Sequence, residues 1–157
     1  MPGIVVLGIG QSLRGDDAAG LEAVRLWQES YPQSAARIRV ELSELPGLAL
    51  LDLLEGAEAA VLVEAVHADV APGMLIRLWP EDLASFGSDA RSAHGWGVAE
   101  TLRLGRSLNP LLAQCRVNLI GIVGRDFTLG AGLGPQVRLA LDDAAGAIER
   151  EIQDLLK

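Results

Sequence analysis

The chain of 157 residues contains a single cysteine, Cys115. One thiol cannot form an intramolecular disulfide or a cysteine-only metal cage. Aromatic residues make up only 4%, so the core must be built from Leu, Val, Ile and Ala. Basic residues are outnumbered, 13 Lys and Arg against 21 Asp and Glu, for a formal net charge of -8. A nucleic-acid binder needs a basic face to release counterions, and this balance argues against that class. No apolar run approaches the ~20 residues of a membrane span. The N-terminal apolar run has no basic leader and is too short for a signal sequence. These deficits lead to the expectation of a soluble cytoplasmic protein with no nucleic-acid partner and no membrane span. Nothing matches the phosphate-binding pattern G-x-x-x-x-G-K-S/T, and no G-x-S-x-G nucleophile elbow is present.

What remains is globular. Hydrophobic residues make up 50% and charged residues 22%, close to the averages for folded domains. A chain of this length buries about two-thirds of its unfolded surface, so residues 1–157 are expected to form one domain. Strand and helix periods alternate along it. Residues 4–9 are continuously apolar and β-branched, as in a central parallel strand covered on both faces. Asp16 and Asp17 then open a helix to about Ser30, where both suit N-capping and the helix dipole. Residues 37–42 alternate as an edge strand, and residues 48–54 form a short leucine-rich helix. Residues 59–66 are a buried strand interrupted by Glu64, and residues 74–79 a fourth strand after a tight turn.

The segment 80–93 reads as irregular. A helix with Val98, Leu102 and Gly105 on one face follows His94. Residues 117–123 form the fifth strand, residues 124–134 a glycine-rich loop, and Pro135 starts the last helix. In that helix Leu141, Ala145, Ile148, Ile152 and Leu155 make one apolar stripe. The order predicts an α/β fold: three-layer, doubly wound, with a mostly parallel five-stranded sheet and helices on both faces. The fourth strand, lacking a crossover helix, is expected to run antiparallel at an edge.

Sites in such sheets form outside the carboxyl ends of the strands. That rim collects Gln11, Arg14, Asp16 and Asp17 after strand one, Glu64, His67 and Asp69 at strand three, His94 before the third helix, and Arg125 with Asp126 after strand five. Glu64 is the most informative, because a carboxylate within a buried strand is costly unless paired, hydrogen-bonded or bound to a cation. Each candidate also has a plain structural reading. Glu64 can reach water or an arginine; Asp16 and Asp17 can cap a helix; His94 can cap or pack on Trp96; His67 can be a solvated loop histidine. Two carboxylates and one imidazole together form a mixed oxygen and nitrogen set suited to a borderline divalent metal, with positions left open. Two other chemistries fit less well. The run Gly8-Ile9-Gly10-Gln11-Ser12-Leu13 has two glycines of a dinucleotide fingerprint but Leu13 where the third belongs. Cys115 precedes strand five, at the sheet's amino end, away from the rim.

The run from Gly8 to Gly20 (GIGQSLRGDDAAG) resembles the N-terminal signature of the [NiFe]-hydrogenase maturation endopeptidases, G-x-G-N-x-L-x-x-D-D/E-x-x-G. Leu62-Val63-Glu64-Ala65-Val66 resembles that family's third-strand segment, Ser92-Ala93-His94-Gly95-Trp96-Gly97 its S-x-H segment, and Leu119-Ile120-Gly121-Ile122 its last strand. The resemblance implies a phosphorylase/hydrolase-like fold and an endopeptidase. It would remove a C-terminal extension from a hydrogenase large-subunit precursor after nickel insertion. By motif position it implies Asp17, Glu64 and His94 as the catalytic and metal-contacting residues. The nickel would be supplied by the substrate and act as a recognition tag. Two positions depart from the pattern, Glu64 for the usual Asp and Gln11 for the usual Asn, and residues 41–47 lack the D-G-G-T-like segment of some members. The alternatives are a non-catalytic module that binds the nickel site, and a small nucleotide-binding oxidoreductase.

Overall fold

The computed structural model describes residues 3–44, 47–78, 90–92 and 98–157. β1 (Ile4–Ile9) is buried at every position, as a continuously apolar central strand must be. A 3-10 turn (Gly15–Ala18) leads into α1 (Ala19–Ser30) and a short α2 (Pro32–Ala35). β2 (Arg39–Ser43), α3 (Ala49–Leu53), β3 (Ala59–Ala68) and β4 (Leu75–Leu78) follow. Then come β5 (Ala90–Ser92), α4 (Val98–Leu108), α5 (Pro110–Gln114), β6 (Arg116–Val123) and α6 (Pro135–Leu155).

The strands lie in the order β2-β1-β3-β6-β4. β1 pairs parallel with β2 and β3, and β3 pairs parallel with β6. β4 is antiparallel to β6 at the edge, as its short connection requires. The five strands expected from the sequence form this sheet. A further short strand, β5, pairs antiparallel with Val66, His67 and Ala68 of β3. It lies within the segment read as irregular; three residues carry too little period to show in a sequence.

Helices cover both faces. On one, Ala19, Val24 and Trp27 of α1 and Ala144, Ile148 and Ile152 of α6 pack on Val6, Val61, Val63 and Ile120. On the other, Leu50 of α3, Leu102 of α4 and Leu112 of α5 pack on Val5, Leu7, Leu62 and Leu119. Each fully buried Val, Leu or Ile contributes about 1.5–3 kcal/mol, so aliphatic side chains alone supply the driving force that scarce aromatics do not. Of the α6 stripe, Ala145, Ile148 and Ile152 are buried, and Leu141 and Leu155 pack at its border.

The strand order fixes the position of the site. From β1 the chain crosses to β2 on one side and then returns to β3 on the other. This reversal opens a crevice at the carboxyl ends of β1 and β3, where doubly wound sheets bind their ligands.

Candidate active site

Glu64 sits at this reversal. It is the last β3 residue in register with β1, opposite Ile9, and it is fully buried. On its other side it pairs with Gly121 of β6. Beyond Glu64 the β1 ladder ends, and β5 takes over with Ser92 opposite Val66. Side chains alternate across a strand, so Glu64 shares a face with Leu62 and Val66, which pack with α4 residues Val98 and Leu102.

Asp17 lies on the 3-10 turn, which packs against β3. It is 3% exposed. Its Oδ2 accepts a hydrogen bond from the Gln11 backbone N–H at 3.1 Å, and its own N–H donates to the Arg14 carbonyl at 3.0 Å. Two glycines allow the approach. A β-carbon on Gly10 would lie 2.0 Å from the Asp17 carbonyl oxygen, and Gly10 has φ of +158°. A β-carbon on Gly20 would lie 2.6 Å from the Ile9 carbonyl oxygen and 2.9 Å from the Glu64 Cα. The last two glycines of the N-terminal motif thus clear the space in which the chain turns from β1 and passes over β3.

Asp16 differs from its sequence reading. Neither it nor Asp17 caps α1: the residue preceding that helix is Ala18, and no side chain caps it. The Asp16 carboxylate instead crosses to the loop after β6. Its Oδ2 accepts from the backbone N–H groups of Arg125 at 2.8 Å and Asp126 at 3.1 Å, and its Oδ1 from Gly134 at 2.8 Å. Gly134 is the residue before α6, so this carboxylate complements the dipole of α6 rather than α1.

His67 lies within β3, not in a loop, and is exposed. Its ring meets Phe127 at 4.2 Å. Three positions from Glu64 along a strand, it projects to the opposite face. Asp69, Arg14 and Arg125 are exposed rim residues. Thr128 donates backbone and side-chain hydrogen bonds to Asp126; the side-chain bond is the larger cause of its carboxyl lying below the ordinary value. Cys115 is buried at the amino end of the sheet, beside a cavity of about 610 Å³ that Leu51, Leu54 and Leu112 also line. Burial pushes its thiol pKa up, which suits an inert core residue. His94 lies outside the described residues. Among the described residues no group of three or more His, Cys, Asp or Glu is placed to hold a metal ion.

Sequence reasoning missed one further tie at the rim. Glu44, just past β2, accepts from both the N–H and the hydroxyl of Ser12 at 2.7 Å. These bonds, the backbone one first, hold the Glu44 carboxyl below its ordinary value. The Gly10 N–H adds a bond to the Ser43 carbonyl at 3.1 Å. The β1 loop is therefore fastened on one side to β2 and on the other to the loop after β6. Neither contact has a local sequence signal.

A family model described as hydrogenase maturation protease, HycI, matches residues 45–151. The hydrogenase expression/formation protein HupD of Rhodobacter capsulatus is 30% identical over 154 residues, covering 96% of this chain and 71% of HupD. The [NiFe] hydrogenase maturation protease HybD from Thermococcus kodakarensis superposes with a TM-score of 0.78 at 26% identity, covering 97% of this chain and 99% of HybD. The hydrogenase maturating endopeptidase HybD from E. coli shares the fold, with a TM-score of 0.79 at 21% identity over 98% of this chain and 93% of its own. The chain belongs to the hydrogenase maturation protease family, and is by that membership an endopeptidase.

Proposed function

We propose that this endopeptidase removes the C-terminal extension of a [NiFe]-hydrogenase large-subunit precursor after nickel insertion, with Asp17, Glu64 and His94 contacting the nickel carried by the substrate. The observation that carries the reading is the burial of Glu64 at the β1–β3 reversal, with Asp17 buried on the 3-10 turn that packs against β3. Carboxylate oxygens are suitable ligands for a divalent metal, and the carboxyl ends of the strands are where doubly wound sheets meet their ligands. The position of β5 agrees with this. The segment that contains His94 begins after Ser92, which pairs with Val66, two residues past Glu64.

The chemistry follows from these groups. Hydrolysis adds a water oxygen to the scissile carbonyl carbon and a proton to the departing amine. A carboxylate beside the carbonyl is suited to take the water proton and pass it to that amine. A metal next to the carbonyl stabilises the developing oxyanion. Because the metal enters with the substrate, a precursor without nickel lacks both the contact and the activation. Cleavage is then coupled to cofactor loading. The large-subunit precursor is accordingly the partner in this reading, and the cytoplasm its place. Among the described residues no helix is long and apolar enough to cross a membrane.

Incubation with nickel-loaded precursor, followed by mass spectrometry of the large subunit, tests the reading. Loss of a C-terminal peptide is the expected result. Stable complex formation with an intact precursor would instead make the chain a binding module.

A further inference from the structure

We propose that Asp16 is a positioning residue, whose carboxylate locks the 3-10 turn to the loop between β6 and α6 and thereby holds Asp17 at the mouth of the crevice. The proposal rests on the reading of Asp17 as a group that engages the substrate's metal.

A 3-10 turn of four residues has little stability of its own, since short helices are dominated by the cost of nucleation. The bonds of Asp17 to Gln11 and Arg14 stay within its own loop. Asp16 ties the turn by its side chain to the loop between β6 and α6. Its side chain gathers N–H groups from residues 109, 110 and 118 positions away in sequence. Backbone bonds run beside them: Asp16 N–H to the Asp126 carbonyl at 2.8 Å, Gly15 N–H to Ala131 at 3.0 Å, and Gly130 N–H to Leu13 at 2.7 Å.

The surroundings are shaped to receive this carboxylate. Gly15 adopts a φ of +56°, and a β-carbon there would lie 2.3 Å from the Asp126 carbonyl oxygen. A β-carbon on Gly124 would lie 2.8 Å from Cβ of Asp16, and one on Gly134 3.3 Å from its Oδ1. Asp16 is 2% exposed, so water does not substitute readily for the three donors. Asp16→Asn keeps the volume but replaces one acceptor oxygen by an NH2 donor, which sets donor against donor at one of the three N–H groups.

The test compares the whole wild-type chain with Asp16→Asn. Three quantities are measured: amide hydrogen exchange at Arg125, Asp126 and Gly134, the melting temperature, and kcat and KM on nickel-loaded precursor well below melting. Exchange at these amides should speed up about tenfold or more. KM should stay within about twofold while kcat falls on the order of tenfold to a hundredfold, the scale of loss when a reacting group is displaced by about 1 Å. Faster exchange with an unchanged kcat would overturn the positioning role, as would amides that stay protected in the variant. Should Asp16→Asn fail to fold, Gly134→Ala presses on the same contact from α6. A lowered kcat at unchanged KM is expected there, and an unchanged kcat overturns the proposal. A wild-type chain that leaves the precursor intact would instead sink the reading of the site itself. Cleavage by wild type and variant at equal rates would sink only the role of Asp16.

Discussion

Gly20 lies against Glu64: a β-carbon on the glycine would sit 2.9 Å from the glutamate Cα and 2.3 Å from the carbonyl oxygen of Val63. Both obstacles are backbone, which cannot swing aside as a side chain can. Gly20→Ala must therefore lift the start of α1 off β3, and the Asp17 turn with it. Overpacking of this kind costs about 1–3 kcal/mol. The melting temperature should fall accordingly and precursor processing should be lost. A variant with wild-type stability and activity would show that α1 tolerates the shift and that the close approach is incidental.

Substitutions at the two carboxylates should separate chemistry from stability. Asp17→Asn retains an oxygen that can accept the Gln11 N–H, so its stability should stay within about 1 kcal/mol of wild type while processing is abolished. Glu64→Gln should behave alike. Glu64→Asp, which keeps the charge, should preserve or raise activity. His67→Ala should process the precursor within about twofold of wild type, because that ring projects to the other face, against Phe127. Processing rates and thermal melts on one set of proteins decide all four.

The tie between Glu44 and Ser12 has a definite pH signature. The carboxyl is held below its ordinary value by the bonds from Ser12. A group whose folded pKa is depressed contributes its stabilisation above its unfolded pKa and loses it as pH falls through the folded one. The Ser12 amide resonance should therefore hold constant from neutral pH down to the ordinary glutamate range and move only below it. Glu44→Gln should remove that titration. A Ser12 shift that titrates near neutrality would contradict the assignment.

A polar network at the amino end of the sheet provides a contrast. Glu151 of α6, 2% exposed, accepts from the Asn118 side chain at 2.8 Å and forms an ion pair with Arg77 of β4. Glu151→Ala leaves a buried amide without this acceptor and should destabilise by about 2–3 kcal/mol. It lies away from the crevice, so kcat measured well below melting should not change. A specific loss of kcat would mean that the two ends of the sheet are coupled.

The sheet was legible because its central strands declare themselves. A run such as residues 4–9, apolar at every position, fits little besides a strand covered on both faces, and the missing crossover before residues 74–79 marked the antiparallel edge. The site was legible in part. Glu64 stood out as a charge inside an apolar strand, and the fold puts it where the strand order reverses. Asp16 reads as a helix cap in the sequence because N-capping is a local rule, whereas its partners lie more than a hundred residues away. His67 reads as a loop residue in the sequence, but the strand extends past Glu64 to pair with β5, a strand too short to announce itself. His94 lies outside the described residues, so its place in the trio stands on motif position alone.

The most direct measurement is a side-by-side processing assay on nickel-loaded and nickel-free large-subunit precursor, read by intact-mass spectrometry. Wild-type protein should shorten only the loaded form, and Asp17→Asn should shorten neither. Equal cleavage of the two precursors would contradict the account, because the buried carboxylates of Asp17 and Glu64 would then be acting without the substrate's metal.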